Sequence, residues 1–147
     1  MKISLYYTFI FAWIPMIQPL VASPNQSLKL EIERSLDKGL QWVIQEQNKT
    51  DGYWGSSQYP ALTALVLRAT LGHPSEKEIQ KYKNQVSLGY QFLRSKVQSD
   101  GGIYGKGLAS YNTSISLMAF LQLNKPSDEQ IIRSARKFLV KIGRAHV

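Results

Sequence analysis

Apolar positions recur in steps of three and four from Leu28 through Ile32, Leu36 and Gly39 to Val43, and Glu31, Glu33, Arg34, Asp37 and Lys38 stand among them. That spacing makes one apolar stripe on an otherwise charged helix. Ser27 stands where a side-chain oxygen caps a helix start, so a helix is predicted from Ser27 to about Gln47, followed by a turn at Asn48 to Ser57. Tyr59-Pro60 then opens Ala61 to Leu71, ALTALVLRATL, with proline suited to the first helical turn and Gly72 to the exit. This second segment is apolar nearly all round, the pattern of a helix covered on both sides.

The order of outer helix, turn and inner helix then recurs. Pro74-Ser75-Glu76-Lys77-Glu78-Ile79 offers a capping box from Ser75 to Glu78. One helix is predicted from there to about Lys96, with Ile79, Tyr82, Val86, Gly89 or Tyr90, and Leu93 on one face. A turn at Ser99 to Tyr104 leads to Tyr111 to Leu123, YNTSISLMAFLQL, which mirrors Tyr59 to Leu71 at an offset of 52 residues. Pro126 to Ile131 repeats Pro74 to Ile79, capping box included, and a third outer helix carries Ile131, Ile132, Ala135, Phe138 and Leu139. The expectation is an all-α chain of antiparallel helical hairpins with repeats at about 28–72, 75–124 and 127–141, the last cut short.

The joint of the first hairpin holds a denser signal. Lys38, Gly39, Trp42, Val43, Gln47, Gly52 and Trp54 stand in the order [KR]-[GA]-x2-[FYW]-[VIL]-x3-Q-x4-G-x-W. This resembles the QW repeat of the prenyltransferase and squalene-hopene cyclase (terpenoid cyclase) superfamily. The resemblance implies an α/α toroid, here incomplete at about two and a half hairpins. Physically the motif reads as structural. Gln47 can donate to helix-end carbonyls or bridge to the next helix, Gly52 permits a positive φ, and Trp54 lays a flat apolar surface over the joint. A degenerate second copy matches Gly89 to Gly39, Phe92 to Trp42, Gly102 to Gly52 and Tyr104 to Trp54. The glutamine of the motif is Val97 there, so the same linkage is not expected, although Gln98 lies one residue on.

Composition narrows the chemistry. The 147 residues carry 18 Lys and Arg against 10 Asp and Glu, a net charge of +8, with no cysteine. That excludes a disulfide framework and a thiolate metal site, including the Asp, Cys and His zinc set that the prenyltransferase resemblance would imply. The charges are spread along helices rather than run together, which reads as a solvated outer face and not a nucleic-acid stripe. The D-x-D-D acid motif of squalene-hopene cyclases has no counterpart, since Asp37, Asp51, Asp100 and Asp128 stand alone. Asp37 reads as an exposed helix charge, Asp51 and Asp100 as turn residues before glycine, and Asp128 as a favourable first-turn acid. His73, between Gly72 and Pro74, has no identifiable partner in the sequence. Gly101, Gly102, Gly105 and Gly107 lack the strand context of a phosphate loop. Tyr59, Tyr111 and Phe120 are read as core packing at the inner-helix ends, with the lining of a central cavity as their other use.

Both ends carry features of their own. Lys2, the apolar run from Ile3 to Ile17 and the small-residue exit at Ala22 read as an export signal over residues 1–22. The alternative is an N-terminal membrane anchor through residues 3–20. Residues 142–147, IGRAHV, are what a common short-read library adapter encodes in one frame, so this hexapeptide is expected to be a sequencing artefact and the natural sequence to run on past Lys141. Sequons occur at Asn25, Asn48 and Asn112, the last also a helix-cap candidate. The functional expectation is an exported repeat protein over residues 23–141. It acts as a binding or scaffold module without a catalytic site or cofactor in these residues and takes a ligand or protein partner in its concavity. The alternative is a terpenoid cyclase-like enzyme whose acid motif lies further along.

Overall fold

The computed structural model describes residues 24–144; the expected signal at 1–22 and His146 lie outside the described residues. The fold is all-α. Its helices are α1 (Pro24–Gln45), α2 (Pro60–Leu71), α3 (Glu76–Lys81), α4 (Lys83–Ser95), α5 (Ala109–Leu123) and α6 (Glu129–Arg144), with a 3-10 turn at Pro126–Asp128 before the last. Among the described residues the one β feature is an isolated bridge between Val97 and Ile103, and no helix is long and apolar enough to cross a membrane.

Three helix starts differ from the sequence reading. α1 begins at Pro24, so Ser27 is an interior residue and caps nothing. The single helix expected after Ser75 is broken at Tyr82, whose N–H bonds the Ile79 and Gln80 carbonyls at φ −105°. Tyr82 is buried at the break and lines one cleft with Ile44 of α1. Ser75 does cap α3, its Oγ accepting the Glu78 N–H at 3.4 Å. Its counterpart Ser127 makes no such bond, because the 3-10 turn there points Asp128 inward. α6 continues through Lys141 to Arg144, so part of the adapter-like hexapeptide is helical.

α2 and α5 form the centre and run parallel. The Ala61 N–H at the start of α2 donates to Asn112 Oδ1 near the start of α5 (3.1 Å), and Gln122 Nε2 near the end of α5 donates to the Arg68 carbonyl near the end of α2 (3.2 Å). Ala61, Ala64 and Leu67 of α2 and Ala119 and Phe120 of α5 are wholly buried. Each large side chain among them contributes about 1.5–3 kcal/mol of burial. α1 and α4 pack on α2, and α6 packs on α5. Tyr90 of α4 reaches the same core, its hydroxyl donating to the Ala119 carbonyl at 2.8 Å; burial first, and the Asp128 charge second, push that hydroxyl far above its ordinary pKa. Asn112 is fully buried, with Nδ2 donating to the Gly107 and Leu108 carbonyls. It caps the neighbouring helix rather than its own, and no glycan fits on it in the folded chain.

α4 and α6 each sit on the turn of the hairpin before them, and this contact repeats. Gly52 (φ +80°) lies so close to the Leu88 carbonyl of α4 that a Cβ would come 2.5 Å from its oxygen. Gly101 (φ +89°) lies in the same way on Ser134 of α6, where a Cβ would meet the carbonyl oxygen at 2.8 Å. Trp54 N–H donates to Thr63 Oγ1 at 3.0 Å, and Ile103 N–H to Thr113 Oγ1 at 2.9 Å. Gly101 and Ile103 are therefore the equivalents of Gly52 and Trp54, which corrects the sequence pairing with Gly102 and Tyr104. The second turn is one residue shorter, a deletion that motif matching places one position late. Tyr104 instead stacks on Phe138 (centroids 5.8 Å), as Tyr53 stacks on Phe92 (5.4 Å).

Candidate functional site

The parallel pairing of α2 and α5 decides where their uncovered sides fall. At the N-cap of α2 and along it the exposed apolar residues are Tyr59, Leu62 and Leu65, three apart; on α5 they are Tyr111, Met118 and Leu121. Helical spacing of three and four puts each set on one line. Viewed down the common direction, the lines lie to opposite hands of the contact between the two helices, hence on the same side of the plane through their axes. They make one apolar face on the side of the inner pair away from the core, its members 39–52% exposed. Isolated exposed leucines need no explanation, but a contiguous patch of six large apolar residues marks an interaction surface.

One cation stands in the seam of this face. Arg68 Nη1 is 3.8 Å from Met118 Sδ, and its Nε is buried with no acceptor in the structure. Of the aromatics expected to pack, Phe120 is in the core, whereas Tyr59 and Tyr111 are exposed on this face. The correction follows from position: both tyrosines lie at the helix starts, beyond the reach of the outer helices.

The motif residues have split roles. Gln47 is buried, and its Nε2 donates to the Gly52 carbonyl within the turn and to the Gln85 carbonyl of α4, each at 2.9 Å. Trp54 is 3% exposed and its Nε1 donates to the Val43 carbonyl at 2.8 Å. Gln98 binds only its own turn, through the Lys96 and Tyr104 carbonyls, so the second joint lacks the cross-helix bridge, as expected from Val97. Gly89 and Phe92 are buried between hairpins, and Gly102 beneath the Tyr104 ring. Lys38, Gly39 and Trp42 are exposed, Trp42 by 64%, so three motif residues make no joint within these residues.

The acidic residues are not gathered, and no group of three or more metal-ligating side chains occurs among the described residues. Asp100 Oδ1 accepts the Gly102 N–H (2.9 Å) and Oδ2 the Tyr104 hydroxyl (2.7 Å). The tyrosine bond first, and the backbone N–H after it, hold the Asp100 carboxyl below the usual range, and the same bond raises the Tyr104 phenol. Asp51 is exposed, and its turn is organised by Asn48 Oδ1, which accepts the N–H groups of Thr50 and Asp51.

Two readings of charged residues are corrected. Asp128 is 1% exposed and accepts from Arg94 Nε and Nη2, each at 2.7 Å, so this first-turn acid is a buried bridge from α4 to the 3-10 turn that precedes α6. This bond raises the Arg94 pKa further. His73 does have a partner: Asp37 Oδ1 lies 3.1 Å from its buried Nε2, while Nδ1 accepts the Ser75 N–H. Asp37 stands out of line with the ring N–H, so the two make no hydrogen bond, and Nε2 has no aligned acceptor. Neither pair was visible in spacing, because each joins separate repeats or the two ends of one hairpin.

No protein-family model, no curated protein and no solved structure matches this chain. Function therefore rests on the geometry of the site.

Proposed function

We propose that this chain is part of an α/α toroid of the kind its QW motif resembles, with about two and a half hairpins in residues 23–141, and that it is a binding or scaffold module. The apolar face of α2 and α5 is its binding surface, the wall of the concavity. The observation that carries the reading is the double row of Tyr59, Leu62 and Leu65 beside Tyr111, Met118 and Leu121, held on one side by two parallel helices. Its ligand is an apolar molecule or protein segment with an acceptor group placed for Arg68. Export through residues 1–22 belongs to the same reading, and N-terminal sequencing of the exported protein should begin at Ser23.

Photo-crosslinking with a diazirine-bearing long-chain alcohol tests the surface. Saturable labelling is expected on the peptides around Tyr59–Arg68 and Tyr111–Leu121, and Met118→Gln with Leu121→Gln should remove most of it. Labelling that does not saturate, or that ignores the double substitution, refutes the assignment.

A further inference from the structure

α2 carries a single charged residue, and it falls on the apolar face. Tyr59, Leu62 and Leu65 recur at steps of three, and the next step is Arg68. Its guanidinium lies in the seam with α5, where Nη1 reaches only a thioether, Met118 Sδ at 3.8 Å, a weak acceptor. Nε is buried without an acceptor, and no ion pair among the described residues includes Arg68. A buried donor on a charged group is costly to leave unpaired, so a ligand that brings an acceptor to this point removes a cost the free protein bears. The seam lies between two helices already in contact. On the toroid reading it belongs to the wall of the concavity and stays open however many hairpins complete the ring.

We infer that the ligand of this face is a long-chain carboxylate, with its headgroup on Arg68 and its tail running along α2 and α5 toward Tyr59 and Tyr111. The inference rests on the binding-surface reading above and names the class of molecule that the surface takes. Charge selects the headgroup. Arg68 is the one charged residue of α2, and α5 has none. A monoanion neutralises it, whereas a phosphate monoester brings a charge of about −1.5 to −2 and leaves the excess unpaired against apolar side chains. Turning the guanidinium away from Met118 Sδ presents Nε and a terminal nitrogen as two parallel donors, the arrangement that a carboxylate accepts. The surface selects the tail. From Tyr59 to Arg68 the row runs about 13 Å, close to the extended length of a dodecanoate chain. Between the tyrosines and Arg68 the two rows hold apolar side chains and Ser114, whose hydroxyl donates to the Ser110 carbonyl. A peptide laid there finds no partners for its own N–H and C=O groups, and an alkyl chain needs none.

The test compares dodecanoic acid carrying a diazirine at its tail end with the matching alcohol, each titrated against the full chain below micelle formation. The acid should half-saturate at a concentration at least about tenfold lower than the alcohol, and its tail should label the peptides that hold Tyr59 and Tyr111. Arg68→Gln should bring the acid to within about twofold of the alcohol and leave labelling by the alcohol unchanged. Arg68→Lys keeps the charge and should retain most of the gain, which gives a second reading should the glutamine variant misfold. An acid no better than the alcohol, a gain that survives Arg68→Gln, or tail labelling at Met118 and Leu121 overturns the inference. So does dodecyl phosphate displacing the acid probe more strongly than dodecanoate, which would make the ligand a phosphate ester. These outcomes leave the apolar binding surface standing. Failure of both probes to label saturably refutes the surface itself, and this inference with it.

Discussion

Removing Arg94 should cost far more than removing the carboxylate it holds. The pair is unequal in solvent: the Asp128 side chain is 2% exposed and the Arg94 side chain 32%. Arg94→Met keeps an aliphatic stem but removes the guanidinium, whose Cζ lies 5.9 Å from the Tyr90 and Phe120 ring centroids, and leaves a buried carboxylate with neither of its 2.7 Å bonds. An uncompensated buried charge of this kind costs about 3–5 kcal/mol, a large part of the 5–15 kcal/mol that holds a typical domain. Asp128→Asn leaves a guanidinium that is already one-third in water, and the loss should be about 1–2 kcal/mol. The double substitution Arg94→Met with Asp128→Leu removes both charges and should recover to within about 1 kcal/mol of the parent. Urea unfolding at neutral pH, followed by helical circular dichroism, measures all three. Equal losses in the two single variants, or a double variant no better than Arg94→Met, would refute the argument that desolvation of Asp128 sets the energy of this joint.

Gln47→Leu should destabilise by about 1–3 kcal/mol, because the Gly52 and Gln85 carbonyls both lose the buried amide that bridges them; Gln98→Leu, which touches only its own turn, should cost less in the same urea assay. Tyr104→Phe should raise the Asp100 titration toward the ordinary carboxylate range, as read by carbon NMR. The sign is fixed by direction: a depressed folded pKa gives a contribution present above the unfolded value of about 3.9 and lost as pH falls through the folded one. Asp100 is exposed, so this contribution to stability is small.

Periodicity was enough for the helices and their order, because each outer helix has one apolar stripe and each inner helix is apolar almost throughout. It failed at Tyr82 and Pro126–Asp128, where local bonding to the third residue back competes with the helix and tertiary contacts choose. Motif spacing found Gln47 and Trp54 but set the second turn one residue late, since the deletion lies among glycines and only the paired Thr63 and Thr113 bonds fix the register. The apolar face was legible only as a class of helix. Which side of α2 and α5 stays uncovered depends on their running parallel, and that follows from Asn112 and Gln122 reaching across sequence separations no local pattern encodes.

The two internal joints share a backbone contact and differ in their polar chemistry, and this difference bears on how repeats keep their order. At the first joint Gln47 bridges to the Gln85 carbonyl and Ile44 lies near Tyr82; at the second, Arg94 and Asp128 occupy the places of Ile44 and Tyr82. Were all joints alike, α4 and α6 would compete for either turn, because the glycine-on-carbonyl and ring-on-ring contacts are common to both. Setting Asp128 against Ile44 would bury a carboxylate without a partner, and setting Tyr82 against Arg94 would leave the guanidinium without its acceptor. Each wrong pairing leaves a polar group unsatisfied, at about 1–3 kcal/mol or more where it is charged. The ion pair thus contributes less to net stability than to the order in which helices with the same backbone contact take their seats.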